Sequence, residues 1–529
     1  MSKKTFFIFV IICFAVIGIL PILFMLVKSM NVDGRFSIFF YKKLMSSGRE
    51  WTLIGNSFTL SFLTALFTTI IGLPLGILFA KTDLPFKKLF TVLFTVPLLV
   101  PPYITAVSWF NLLGREGLLS KILSPEIMGL ISNRLFGLPG CVMILFSTFL
   151  PIVILLTITY LKTVNPRLEE AGRIVSGWPG VLKGITVPMI MPGILLASIL
   201  VFLLSLGEFG VPTFLRYDVF PVESFTQFSA FYNFGAATAA TVPLIVITFI
   251  VLTIERIFLR DKTYQLRPAA DESKSPKINL GIYRKWFLAI VTLFCICSVI
   301  LPFIVLLFHS FSIDVYKEAI TRAGDSLFRS VAYAAIGASM LTVLGFFLGY
   351  LIHSKIFRFW HAIDSLTIFL FALSGTVIGI GLINLWNRPA TNFIYATPVI
   401  IILGYLAQYT ALTSRITVSA LAQIPPSMEE AAQVSGAKWM RRITLITAPM
   451  AKRGLIAGWL VGYIFCLRDM GVTMLVYPPG RDTLPVRIFT LMANGSTELI
   501  AALCVIMITA TLLPLGIGGI LFSRFLKTT

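Results

Sequence analysis

The acidic residues of this 529-residue chain are few, and several come in matched sets. Glu169-Glu170-Ala171-Gly172 returns as Glu429-Glu430-Ala431-Ala432 at an offset of 260. Glu208-Phe209-Gly210-Val211 returns as Asp469-Met470-Gly471-Val472 at an offset of 261. Asn111 has its counterpart in Asn384. Paired carboxylates can move protons, hold a cation or present charge to a partner. Proton transfer needs a convergent set of titratable groups at one depth, and only Glu208 and Asp469 offer a start. No Ser/His/Asp, Cys/His or paired-carboxylate catalytic arrangement is apparent, so no catalytic residue is assigned. His309, His353 and His361 are scattered at the ends of apolar runs. Cys13, Cys141, Cys295, Cys297, Cys466 and Cys504 lie inside apolar runs, without metal-ligand spacing to a histidine. They read as packing residues, and no metal site is expected.

These groups must sit on apolar elements. Hydrophobic residues make up 57% of the chain and charged residues 12%, against about a quarter charged in soluble proteins. The chain therefore reads as an all-α polytopic membrane protein. That excludes a soluble enzyme, a disordered scaffold and a disulfide-rich secreted domain. A bilayer core needs about 20 apolar residues per helix. Twelve runs qualify: 6–27, 53–80, 89–113, 138–160, 193–215, 236–258, 286–308, 329–353, 363–385, 397–417, 454–476 and 499–522. The first follows Lys3 and Lys4, but it is too long for a signal-peptide core and no small-residue cleavage site follows, so it reads as a retained helix. Twelve spans place both termini on one side. With that side inside, Lys and Arg concentrate in the inner loops, so the net charge of +20 follows from topology and nucleic acid is not needed.

The sequence is doubled. Asn56-Ser57 through Gly72 to Asn111 aligns with Arg329-Ser330 through Gly345 to Asn384 at an offset of 273. The drop to 260 places a longer loop, Gly114–Phe136, in the first half, on the outer side where length varies cheaply. Six spans per half give both halves one orientation, as parallel repeats about an axis along the membrane normal. The expected divisions are residues 1–259, a linker over 260–285, and residues 286–529. In such an architecture the transport path lies between the halves.

The inner loops 161–192 and 418–453 carry the acidic pairs. In the second, Ser427 can cap a helix with Glu430 completing a capping box, and Gly436 can stop it in the left-handed region. In the first, Asn165 caps, Pro166 takes the first helical position and Gly177 closes the helix. Each loop reads as two short helices with an acidic, small-residue tip. Two such surfaces related by a pseudo-two-fold axis should dock a two-fold partner.

The second loop also matches Glu-Ala-Ala-x3-Gly-x9-Ile-x-Leu-Pro at Glu430, Ala431, Ala432, Gly436, Ile446 and Pro449, with Ala448 in place of the Leu. In the first loop Glu170 and Ala171 match, Gly172 replaces the second Ala and Gly177 comes one residue late. The pattern resembles that of binding-protein-dependent ABC importer permeases. Nearly the whole chain takes part, each half being similar to one permease domain. The fused arrangement most resembles the ferric-iron, thiamine and aminoethylphosphonate importers. The resemblance implies a type I importer subunit in a bacterial inner membrane. Glu169, Glu170, Ala171, Gly172 and Gly177, with Glu429, Glu430, Ala431, Ala432 and Gly436, would couple to two ATPase subunits, and a periplasmic solute-binding protein would deliver cargo. It implies no cofactor on this chain. The nearest approach to a P-loop, Leu75 to Ala80 before Lys81-Thr82, has other residues at both glycine positions, so ATP-Mg would act in the partners.

Glu208 and Asp469 at matched positions in spans 5 and 11 either line the path or sit at helix ends near the outer interface, paired with Arg468 or the outer loops. Asn111 and Asn384 are either path residues or helix–helix hydrogen bonders. Pro97, Pro101 and Pro102 should kink span 3, and the absence of prolines at matching positions in span 9 predicts that the halves differ there. A secondary transporter can share twelve spans but does not need the two matched inner loops. A membrane enzyme would need more convergent titratable groups. Ferric iron leads as cargo by resemblance, with thiamine or an aminophosphonate open.

Overall fold

The computed structural model describes residues 2–32, 35–259 and 277–527. Most of the expected linker, residues 260–276, lies outside the described residues. With no water in the hydrocarbon to serve the backbone, long apolar runs close their hydrogen bonds within helices. Among the described residues nine helices are long and apolar enough to cross a bilayer, or twelve if each of three bent pairs is one crossing. The chain is an all-α polytopic membrane protein. The longest strand pairing among the described residues is the short antiparallel pair Asn31–Val32 and Arg35–Phe36.

Contacts divide the chain into two compact units that cut across the sequence halves. One unit comprises Met1–Glu50, Phe220–Ile245 and Ser312–Thr529; the other comprises Trp51–Val219 and Val246–Phe311. In the first unit the leading helix, Lys3–Ser29, lies against Ile313–His353, Gly375–Trp386 and Val399–Leu421. In the second unit the leading helix of the other half, Gly281–His309, lies against Lys87–Leu99 and Pro102–Leu113. Each leading helix is therefore packed with the core of the opposite half, which hydropathy cannot reveal because it is blind to partners.

Among the described residues four π-helical turns interrupt the helices, at Ala15–Ile19, Leu182–Thr186, Ile296–Ile300 and Ile443–Thr447. A proline follows each by two residues: Pro21, Pro188, Pro302 and Pro449. A proline ring has no N–H and crowds the carbonyl four residues back, which here falls inside each turn. Widening that turn accommodates the ring without breaking the helix.

The third span of each half is broken rather than kinked. Lys87–Leu99 meets the segment from Pro102 at 99°, and Trp360–Ala372 meets Gly375–Trp386 at 105°. The halves are alike here, contrary to the expectation from the prolines. In the first, Val100 before Pro101 is extended, as pre-proline residues prefer (φ −99°, ψ 144°). In the second, Leu373 and Ser374 are extended and the Ser374 hydroxyl accepts from the Thr376 N–H, capping the new helix. Different residues reach one geometry. The fifth span of each half also ends early, at Leu206 and Leu467, and short helices Gly210–Phe214 and Thr473–Val476 follow.

Glycines set the closest helix approaches. A Cβ on Gly72 would stand 2.8 Å from the Val153 Cβ, and one on Gly349 would stand 2.7 Å from the Ser414 carbonyl oxygen. Their counterparts Gly345 and Gly76 meet Thr413 and Thr157. Small residues four apart let two helices touch backbone to side chain, the packing on which membrane helices rely.

Candidate functional site

The first tip helix, Pro166–Val181, begins as its residues dictate. The Asn165 side chain accepts from the Arg167 N–H at 3.0 Å, and Pro166 occupies the first turn. Gly177 breaks it at φ 65°, a conformation that favours glycine. The two neighbouring acids part company. Glu169 is fully buried, 2.6 Å from the Lys81 ammonium, and accepts from the Thr186 hydroxyl at 2.9 Å. Lys81 is only 3% exposed. Glu170 and Ala171 face outward, and Gly172 is half-buried where a side chain would strike Ile185.

The second tip helix, Pro426–Val434, is built alike with different parts. Its N-cap is Pro425, with no side-chain cap. Ser427 is therefore not the cap and forms no capping box with Glu430. Pro426 brings its own helical φ to the first position and starts the helix one residue ahead of Ser427. The end follows expectation. Gly436 takes φ 79°, its N–H donates to Gln433 O and that of Ala437 donates to Ala432 O, both at 3.0 Å. That pair is a Schellman closure. Glu429 turns inward, accepting from the Tyr350 hydroxyl at 2.7 Å with Arg442 Nε at 3.7 Å. Glu430 and Ala431 are exposed and Ala432 is half-buried.

Both tip helices thus spend one glutamate on anchorage and leave the next exposed. Beside the exposed glutamate each carries bare apolar side chains. Ile174 and Val434 are one helical turn beyond Glu170 and Glu430 and are 85% and 89% exposed. Leu168 and Met428 are matched and exposed on the same elements, and Val175 adds to the first. Large aliphatics bared at equivalent positions on two charged helices mark a surface made for covering.

The acids at membrane depth have another geometry. Asp469 is buried, and its carboxylate accepts from the Tyr409 hydroxyl at 2.7 Å and from the Thr473 N–H and hydroxyl at 2.9 and 2.6 Å. Glu208 Oε1 accepts from the N–H groups of Gly210 and Val211 at 3.1 and 3.4 Å. Each acid caps the short helix after its break, meeting donors that a helix start leaves unpaired. Arg468 lies over the Phe465 ring at 4.7 Å rather than against Asp469. Burial and the Cys141 thiol push the Tyr217 hydroxyl up to about 12, so it remains neutral at ordinary pH. Asn384 donates to Ile380 O at 3.0 Å. Asn111 is buried, and neither its amide nitrogen nor its oxygen has a hydrogen-bond partner among the described residues. Each of these four residues is placed within its own unit.

Lys81, Thr186, Tyr350, Arg442, Tyr409 and Thr473 were not singled out by sequence. Lys81 is absorbed by the inner-loop charge excess, and the hydroxyls look like ordinary helix residues. A pointer to Lys81 existed, since it directly ends a long apolar run.

Residues 72–264 match the family of binding-protein-dependent transport system inner membrane components. The ferric transport system permease protein FbpB of Actinobacillus pleuropneumoniae is 21% identical over 83% of this chain, which spans 66% of that protein's length. The Fe(3+)-transport system permease protein FbpB 2 of Haemophilus influenzae is 21% identical over 89% of each chain. The molybdenum transport system permease protein ModB of Escherichia coli is 31% identical over 35% of this chain and 79% of its own.

Proposed function

The chain belongs to the family of binding-protein-dependent transport system inner membrane components, and on that premise we propose that it is the permease of an ATP-driven importer. Its tip helices dock two ATPase subunits, and a solute-binding protein delivers cargo on the opposite face. The observation that carries this reading is the matched pair of tip helices, each anchored by one glutamate and offering a second glutamate and bare aliphatics outward. ATP-Mg works in the partner subunits. Their closure draws the tip helices together and switches the chain between inward-open and outward-open states, because the partners bind those states unequally. The membrane is a bacterial cytoplasmic membrane, with both termini and both tip helices on its inner side.

Ferric iron is the lead cargo, because the two relatives matched over most of this chain are named as ferric permeases. Thiamine and an aminophosphonate are the alternatives. Glu208 and Asp469 act first as caps that hold the broken helices open at the path. Asn111, whose buried amide has no hydrogen-bond partner among the described residues, serves cargo or the other state of the cycle in this reading. The test is uptake in cells carrying Glu170→Ala with Glu430→Ala. A fall in uptake with the chain still inserted is expected. Undiminished uptake that also survives loss of the ATPase would favour a secondary transporter.

A further inference from the structure

Each tip helix is anchored near the end of a long helix, and each of those ends is met by the start of a leading helix from the opposite half of the sequence. In the unit holding the first tip helix, residues 277–280 run beside residues 81–83. Ile278 N–H donates to Lys81 O at 2.7 Å, and Asp83 N–H donates to Ile278 O at 3.3 Å. Leu280 N–H donates to Asp83 Oδ1 at 3.0 Å, and Arg284 stands 3.9 Å from the same carboxylate. The carbonyls at the end of helix Gly48–Lys81 lack partners within that helix, and Ile278 supplies one at Lys81 itself. The backbone of Lys81 is thereby fixed, and its ammonium is aimed at Glu169.

In the other unit the start of Lys3–Ser29 does the same with side chains. Lys3 Nζ donates to the Tyr350 hydroxyl at 3.3 Å and Phe7 stacks on the Tyr350 ring at 5.7 Å. Phe6 and Phe7 lie 5.3 and 6.0 Å from Trp439, in the segment just after the second tip helix. The Tyr350 proton goes to Glu429. A donor on the phenol oxygen polarises its O–H and strengthens the bond to the carboxylate.

We infer that the leading helix of each half positions the tip helix of the other, through Asp83 and Lys81 in one case and Lys3 and Tyr350 in the other. These are positioning residues. Their effect on transport rests on the proposed importer reading, but the latch itself does not. If the reading holds, each docking surface answers to the half of the chain that does not contain it, which ties the two surfaces to a common motion.

The test is amide hydrogen exchange on the purified full-length chain, read at residues 166–177 and 427–436. Asp83→Ala is expected to speed exchange at 166–177 by about tenfold, the scale of one lost hydrogen bond to a charged group, and to leave 427–436 unchanged. Lys3→Ala is expected to do the reverse. Asp83→Asn, which keeps an acceptor for Leu280, and Lys3→Arg should each restore most of the protection. Leu280→Pro provides a second route. Its φ of −76° suits proline, and the change deletes the N–H that reaches Asp83 while also shortening a side chain packed on the neighbouring apolar cluster, so it is read beside Asp83→Ala. Exchange that does not change, or that rises equally at both tip helices, overturns the latch. Because the measurement needs neither ATPase nor cargo, a failure of the importer reading would leave it standing.

Discussion

Lys81→Met is the sharpest perturbation of the anchorage. The ammonium and the Glu169 carboxylate are 2.6 Å apart, with Lys81 3% and Glu169 0% exposed. The substitution keeps the stem and deletes the charge. Glu169 is left buried with the Thr186 hydroxyl still donating to it. Breaking a buried pair from one side costs about 3–5 kcal/mol. At about 1.4 kcal/mol per decade, opening of the first tip helix should rise by about two to three and a half orders of magnitude. The glutamate escapes by turning to water, and the helix turns with it. Trypsin cleavage after Arg173, within the tip helix, follows the open population when reclosing is fast. Lys81→Met should accelerate it at least a hundredfold. Lys81→Met with Glu169→Met should return it to near the wild-type rate, since an apolar pair of similar volume commonly replaces a buried ion pair at no loss. A single variant within about threefold of wild type, or a double variant as labile as the single, would refute the claim that this pair holds the helix.

Tyr409→Phe strips one of the donors from buried Asp469 and should lower stability by about 1–3 kcal/mol, read as a lower Tm. Glu208→Gln, at a half-buried cap with two backbone donors, should cost less; a larger loss there would contradict the capping geometry. Gly349→Leu must push a side chain into Ser414 and Thr417 and should collapse the yield of folded protein, whereas Gly129→Ala, with nothing nearby, should not. Gly436→Ala at φ 79° should loosen the second tip helix by about 1–2 kcal/mol, seen as faster exchange at residues 427–436. Unchanged exchange there would mean that the closing turn does not hold the helix.

The sequence reveals most of the scaffold because membrane helices are written in one variable, apolar length. The caps at Asn165 and Pro166 and the left-handed turns at Gly177 and Gly436 were readable because each depends on one residue's own backbone preference. The sequence signals a bend of the third span in one half only, and there as a kink rather than a break. Pro101 and Pro102 announce it, while Ser374 and Gly375 produce the same bend through a cap that no single residue type signals. The direction of Glu169 and Glu429 was hidden, because adjacent acids look alike until the fold chooses which meets Lys81 or Tyr350. Asp469 looked like a possible pairing with Arg468 in the chain, yet its donors come from Tyr409, sixty residues earlier, and from Thr473 one turn on. The placement of the leading helices was out of reach of any local pattern, since nothing in Lys3–Ser29 names the half it packs with.

The most direct measurement is uptake of radiolabelled ferric iron by cells with and without this gene, energised and then depleted of ATP. The account predicts uptake that requires the gene and stops when ATP is withdrawn. Gene-dependent uptake that continues without ATP would contradict it.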